Sequence, residues 1–292
     1  MSNRLEVAKT YKLYIGGAFP RSESGRSLPV TGGGGTVHIS RASRKDLRDA
    51  VEAAAKAQPA WADATAYNRG QVLYRMAEML EGKRQEFAEL LKAGARTKGR
   101  GAAALSPARE VEASIDRLVC FGGWADKYSQ VLGCNNPVAG PFYNFTVPEP
   151  SGIVGVIAPD GPALLGLVSL IAPPLCAGNA VVALGSESDP LATAVFGEVC
   201  ATSDVPAGVL NLLTGLREEL VPHFASHREI NSIHAAGLSP DHAKSLREGA
   251  ADSVKRVTVR EGVDFSDEAA CHSPWWIEPF VEMKTMWHPS GA

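Results

Sequence analysis

Four places in the sequence carry residue types that could do chemistry. Cys271-His272 sets a thiol beside an imidazole, and a neighbouring imidazolium can lower a thiol's pKa and make it a nucleophile. Adjacent side chains point apart in most backbone geometries, however, so a spectator thiol is expected. His223 and His227 stand i, i+4, a spacing that puts two imidazoles on one helix face as a possible metal pair. No third ligand accompanies them at a fixed spacing, and surface histidines are expected instead. Asp160, in Pro159-Asp160-Gly161-Pro162, could serve as an acid or base, but an Asp beside a Gly suits a turn for backbone reasons alone. The tetraglycine Gly32 to Gly35 could cradle phosphate, yet no helix N-terminus follows at once to supply aligned N–H groups. A flexible turn is the expectation there.

The elements that would have to position such groups follow from periodicity. Tyr11 to Phe19 alternates toward a strand, and Val37 to Ser40 is extended, which predicts a hairpin across the glycine-rich turn. Ser43 caps a helix with Leu47, Ala50, Val51 and Ala54 on one face, and a second helix carries Val72, Leu73, Met76, Leu80, Phe87 and Leu90. A third begins at Ser106-Pro107, with proline at its first position, and buries Val111, Ile115 and Leu118 ahead of Phe121 to Trp124. Nothing in this helical block looks like chemistry. From Phe142 the texture changes. Apolar runs at Ile153–Ala158, Ala180–Leu184, Val209–Leu213 and Val254–Val259 alternate with helical patterns near Leu164–Ala177, Asp189–Thr202, Arg217–Ala225 and Asp241–Glu248. Strands apolar nearly throughout, each followed by a helix, describe a doubly wound parallel sheet covered on both faces. Ligands of such sheets bind outside the strands' carboxyl ends, here Pro159–Pro162, Gly185–Glu187, Thr214–Leu216 and His234–Leu238. Neither G-x-G-x-x-G nor G-x-x-x-x-G-K-[ST] occurs.

Composition narrows the partners. With 45% hydrophobic and 21% charged residues in 292, the chain is of ordinary globular type, and disorder is excluded as its main theme. A formal net charge of −3 leaves no electrostatic footprint for nucleic acid or an anionic membrane. Five cysteines, Cys120, Cys134, Cys176, Cys200 and Cys271, form no C-x-x-C pair and read as reduced thiols. The N-terminus has charges where a secretory leader needs an apolar run, and Ala163–Leu175 is too short and too proline-rich to span a bilayer. A cytoplasmic protein is expected.

At the strand ends the chain resembles the aldehyde dehydrogenase superfamily. The likeness runs through Tyr14-Ile15-Gly16-Gly17, Trp61, Glu149-Pro150-Ser151-Gly152-Ile153-Val154-Gly155-Val156-Ile157, Ala177-Gly178-Asn179, Ser186-Glu187 and Val205-Pro206-Ala207-Gly208-Val209, reaching about Glu261. Phe280 to Thr285 resembles the family's C-terminal strand. Asn136 to Pro141 and Ala201 to Asp204 are most similar to the degenerate second half of the family-16 members. The resemblance implies an N-terminal hairpin and helical block over 1–141, a Rossmann-like cofactor-type domain over 142–263, and a short linker with an oligomerisation strand over 264–292. It further implies NAD or NADP contacts at Ile157, Ala158, Pro159, Ser186, Glu187, Gly215 and Gly237.

The family oxidises aldehydes to acids by thiolate attack, hydride transfer to NAD(P) and thioester hydrolysis. Its Gly-Gln-x-Cys nucleophile motif has no counterpart, because no glutamine follows Gln130. Only 18 residues, Gly262 to Pro279, precede the C-terminal strand, whereas a folded lobe needs at least ~50 to bury a core. The catalytic lobe is therefore expected to be missing, its former contact face left as exposed apolar surface. The oxyanion asparagine is absent from Pro159-Asp160-Gly161-Pro162, the ribose-binding lysine reads Leu184, and the hydroxyl beside the pyrophosphate reads Leu238. The general-base position falls on Arg260 or Glu261 according to register. No catalytic residue is assigned, and dinucleotide binding is expected to be weak or absent. The reading that follows is a non-catalytic structural or regulatory partner, homo-oligomeric or bound to a full-length aldehyde dehydrogenase. The alternatives are an oxidoreductase that borrows a nucleophile from another subunit, and a nucleotide or metabolite sensor. The apolar closing segment, with Trp275, Trp276, Ile277, Phe280, Val281, Met283 and Trp287, is the expected assembly element.

Overall fold

A computed structural model describes residues 9–32, 35–98 and 105–291. The N-terminal sheet joins β1 (Thr10–Tyr11), β2 (Ser27–Gly32) and β3 (Gly35–Ser40) in the order β1-β3-β2. The hairpin thus forms between β2 and β3, with Gly32 opposite Gly35, and not from Tyr11–Phe19. Gly16 and Gly17, at φ +60° and +78°, turn the chain back after an isolated bridge from Tyr14 to Leu212, which cuts that run short. Gly33 and Gly34 of the tetraglycine lie outside the described residues.

Helix α1 (Arg44–Asp63) opens on a capping box in which the Asp46 carboxylate accepts the Ser43 N–H and the Ser43 hydroxyl accepts the Asp46 N–H. The single helix expected next is two, α2 (Ala66–Gly82) and α3 (Arg84–Lys98), interrupted at Gly82-Lys83, where glycine's low helix propensity permits a break. Helix α4 (Pro107–Trp124) starts as the Ser106-Pro107 pair predicts. Then follow α5 (Tyr128–Leu132), β4 (Cys134–Asn136) and β5 (Phe142–Pro150).

The central sheet is built from β6 (Ile153–Ile157), β7 (Ala180–Leu184), β8 (Leu210–Leu213), β9 (Ser232–Ala236) and β10 (Arg256–Arg260), with α6 (Ala163–Ala177), α7 (Pro190–Ala201), α8 (Arg217–Ser226) and α9 (Pro240–Ala251) between them. All pairings are parallel and the order is β10-β9-β6-β7-β8. The chain therefore winds outward from β6 in one direction and then returns to its other side, placing a topological switch point between β6 and β9. Every residue of α6 is buried, which accounts for its uniformly apolar sequence. Strand β9 runs through Ser232 and His234, both fully buried, so the polar residues that hide it from an apolar-run reading are interior ones.

After α10 (Glu268–Cys271) and two 3-10 turns the chain ends in β11 (Val281–Pro289), antiparallel to β5 from Val281 opposite Pro150 to Pro289 opposite Phe142. The sheet order is β11-β5-β4, so β5 belongs to this sheet and not to the parallel one. The face expected to lie bare is covered. Phe265, Cys271, Trp276, Ile277 and Phe280 are all buried in the core shared by α4, α6 and β6, because the 262–280 segment folds back as a lid of large apolar side chains. Burial of each such side chain stabilises the fold by roughly 1.5–3 kcal/mol. The closing segment divides accordingly: Trp276, Ile277, Phe280 and Val281 are interior, whereas Trp275, Met283 and Trp287 are exposed.

Candidate functional site

The crevice at the switch point lies where β6 continues into Ala158-Pro159-Asp160 and β9 into Gly237. Gly237 adopts φ +62°, and a Cβ there would stand 2.9 Å from Pro159 Cβ, so glycine is what lets the two strand ends approach. Across this point lies Arg217, the first residue of α8. Its Nη2 donates to the Ala158 carbonyl at 2.7 Å, and its Nη1 to Asp160 Oδ2 at 3.0 Å and the Gly237 carbonyl at 3.3 Å. The Arg217 side chain is only 8% exposed, and its Nε is buried with no hydrogen-bond partner among the described residues. Asp160 Oδ1 in turn accepts the Ser188 N–H at 2.9 Å and the Ser186 hydroxyl at 3.3 Å. Glu187 accepts the Arg217 N–H at 2.8 Å, placing a carboxylate at the positive end of α8.

Ala158, Pro159, Ser186, Glu187 and Gly237 are thus brought together around Arg217. Ile157 is fully buried and contributes only as the strand from which the turn departs. Gly215 lies in the turn between β8 and Arg217, and a Cβ there would lie 3.0 Å from Leu220 Cδ1 and 3.4 Å from the Ala42 backbone, so the glycine also makes room for α1's entry. Leu184 is fully buried in the core beneath α1 and α8, and Leu238 packs against that same core.

The sequence reading missed Arg217, and it missed Glu110. From α4, Glu110 Oε1 accepts the Leu164 N–H at 2.9 Å and so caps α6 from 54 positions away. A signal existed: the buried side of α4 is Glu110, Val111, Ser114, Arg117, Leu118 and Phe121, a helical stripe in which two charged residues occupy core positions. The helical block thus does contribute polar groups to the domain behind it.

A second polar cluster lies under the 262–280 cover. Arg260 Nε donates to His234 Nε2 at 3.1 Å, and its guanidinium stacks 4.1 Å from the Trp276 ring centroid. His234 Nδ1 donates to the Leu170 carbonyl at 2.9 Å, so the imidazole is neutral with its proton on Nδ1. Burial, with Arg260's charge, holds this imidazole well below its ordinary range. Glu261 points the other way, to Arg247 at 3.1 Å, and is largely exposed. At the end of β10, then, Arg260 faces the cover and Glu261 faces solvent. Arg117, fully buried, donates to the Phe265 carbonyl at 2.9 Å and to the Ser169 hydroxyl. Cys271 is buried beside it, and burial pushes its thiol up, against the opposing pull of Arg117. A raised pKa disfavours the thiolate, the form that acts as a nucleophile. His272, whose carbonyl accepts the Trp124 indole N–H at 2.8 Å, is held low by desolvation. His223 and His227 lie on and just past the end of α8, joined by a backbone hydrogen bond. Among the described residues no group of three or more His, Cys, Asp or Glu could hold a metal ion, and no helix is long and apolar enough to cross a membrane.

Residues 28–264 match the aldehyde dehydrogenase family. The putative aldehyde dehydrogenase DhaS of Bacillus subtilis (strain 168) is 30% identical over 275 residues, covering 90% of this chain and 53% of the relative. Retinal dehydrogenase 2 of Gallus gallus is 34% identical over 266 residues, covering 88% and 49%. An aldehyde dehydrogenase from Bacillus cereus, solved as an NAD+ complex, superposes with a TM-score of 0.77 at 23% identity over 87% of this chain and 51% of that one, a likeness of fold. The chain spans about half the length of the curated relatives it matches.

Proposed function

The chain belongs to the aldehyde dehydrogenase family, and on that footing we propose that it is a non-catalytic structural or regulatory partner of a full-length aldehyde dehydrogenase. The observation that carries this is the connection between β10 and β11. Residues 262–279 are spent as a packed cover, and the thiol within them, Cys271, is sealed under it with its pKa raised. Cys176 and Cys200 are buried in α6 and α7, with thiols pushed far up, and the exposed Cys134 sits on β4 in the other sheet. Cys120, half-buried on α4, has its thiol pushed up by burial and turned to the His272 carbonyl. These placements support the reading that no thiolate is offered to an aldehyde at the strand-end crevice.

Dinucleotide binding is proposed to be weak or absent for the same chain. A pyrophosphate needs free N–H donors or cations, and those around Arg217 are engaged: Arg217 is paired with Asp160, the α8 N-terminus with Glu187, and core leucine stands at position 184. The role as a partner is supported by the β11-β5-β4 sheet. Beyond Val281 every residue of β11 is exposed, Met283, Met286 and Trp287 included, and among the described residues no strand pairs with its outer edge. An unpaired edge of this length invites pairing with another chain.

The test is two-part. Purified chain mixed with short aliphatic and aromatic aldehydes and NAD or NADP should produce no reduced dinucleotide above the buffer rate. Co-expressed with a full-length relative, it should co-purify, and a version ending at Pro279 should not. Turnover abolished by Cys271→Ala would overturn the non-catalytic role. A monodisperse monomer indifferent to the truncation would overturn the role as a partner.

A further inference from the structure

At the switch point of an open parallel sheet the helices that follow neighbouring strands depart to opposite faces, and the strand ends are left as a crevice for ligand. In this chain that crevice has an occupant of its own. Arg217 reaches over from α8 and bonds at once to the carbonyl beyond β6 (Ala158, 2.7 Å), the carbonyl beyond β9 (Gly237, 3.3 Å) and the carboxylate of the β6 turn (Asp160, 3.0 Å). It spans the two strands that define the switch point. Asp160 is itself braced from the β7 turn by the Ser188 N–H and the Ser186 hydroxyl. The three strand-end turns of β6, β7 and β9 are therefore cross-linked through one ion pair.

We infer that the Arg217–Asp160 pair is a built-in stopper that keeps the strand-end crevice closed to dinucleotide phosphates, and that the same arginine becomes an anion-binding group once the Asp160 charge is removed. The inference rests on the proposed weakness of dinucleotide binding and gives it a cause. A pyrophosphate entering the crevice brings negative charge toward the carboxylates of Asp160 and Glu187, and it can engage Arg217 only by displacing Asp160 from it. The guanidinium is the group best suited to bidentate contact with phosphate. Its buried Nε has no partner among the described residues, so its donor capacity is not exhausted by the present contacts. With asparagine at 160, the amide oxygen can still accept the Ser188 N–H and hold the turn, but the arginine's charge is no longer neutralised.

Calorimetric titration of NAD, NADP and inorganic pyrophosphate into the purified chain tests this, with thermal unfolding as the check on folding. The wild-type chain should bind each more weakly than about 1 mM. Asp160→Asn and, as a second route, Asp160→Ser should bind at least about tenfold more tightly. The gain should vanish in Asp160→Asn combined with Arg217→Met. Folded Asp160 variants that bind no better than wild type would overturn the stopper while leaving the weak-binding proposal intact, as would a gain that persists without Arg217. Micromolar binding by the wild-type chain would overturn both.

Discussion

Asn179 ties the parallel sheet to the C-terminal segment, and its replacement by alanine measures how strongly the two depend on each other. The side chain is fully buried. Its Nδ2 donates to the carbonyls of Pro174 at 3.1 Å and Phe280 at 3.0 Å, and its Oδ1 accepts the Gly152 N–H at 2.9 Å and the Ser151 hydroxyl at 3.1 Å. Three of these four partners keep another bond without it. Pro174 retains the Asn179 N–H, Phe280 retains the Ser151 N–H, and Ser151 retains Ser232. The Gly152 N–H has no second partner among the described residues, and an amide stranded in this way costs about 1–3 kcal/mol. With the three weakened bonds and the small void added, Asn179→Ala should lower stability by about 3 kcal/mol, a large share of the roughly 5–15 kcal/mol that holds a domain together. Asn179→Asp keeps both accepted bonds but turns a carboxylate oxygen toward two carbonyls, so it should cost a comparable amount through the Pro174 and Phe280 side alone. Urea unfolding of the purified chain gives both values, and hydrogen exchange should show β11 opening earlier in each variant. If both variants lie within about 1 kcal/mol of wild type, the reasoning is refuted, because a fully buried amide with four bonds cannot be removed that cheaply.

Val254 sits at φ 54° with 91% of its surface exposed, so Val254→Gly removes the strain of a β-branched residue in the left-handed region without losing packing, and urea unfolding should show a gain of about 1 kcal/mol; a loss would contradict it. Trp276→Ala should cost about 3–5 kcal/mol by the same measurement, since the ring lies under Arg260 and its N–H donates to Ala270; a cost under about 1 kcal/mol would mean that the 262–280 cover is not part of the folded core. Acid should weaken the fold through His234. Its folded-state pKa is depressed by burial, so the unfolded chain takes up a proton below about pH 6.5 that the folded chain refuses; stability present at neutral pH is lost as pH falls, by up to about 1.4 kcal/mol per pH unit for this group. His272, His227 and His223, lowered mainly by desolvation, push in the same direction. Melting temperatures at about pH 7.5 and about pH 5.5 should fall toward acid, less steeply in His234→Gln, and a flat profile would refute the assignment.

What the sequence by itself determined was whatever is local. Apolar runs of strand length, helical stripes, Ser43 and Ser106-Pro107 at helix starts, and the strand-end turns were all legible, because periodicity and capping depend on residues a few positions apart. With them came the parallel sheet and the place of its crevice. The misses share one cause. Whether Tyr11–Phe19 pairs as a hairpin, whether a polar strand such as Ser232–Ala236 lies inside, and whether Phe265 to Phe280 hangs loose or closes over α4 and α6 are settled by neighbours far along the chain. The same holds for the crevice. Arg217 meets Asp160 from 57 positions away, Glu110 caps Leu164 from 54, and Asn179 reaches Phe280 across 101. Hydrogen bonds form over about 3 Å and demand alignment, so only the packed tertiary structure decides which buried polar groups find each other, and here it set an arginine across the crevice that the strand pattern had marked for a ligand.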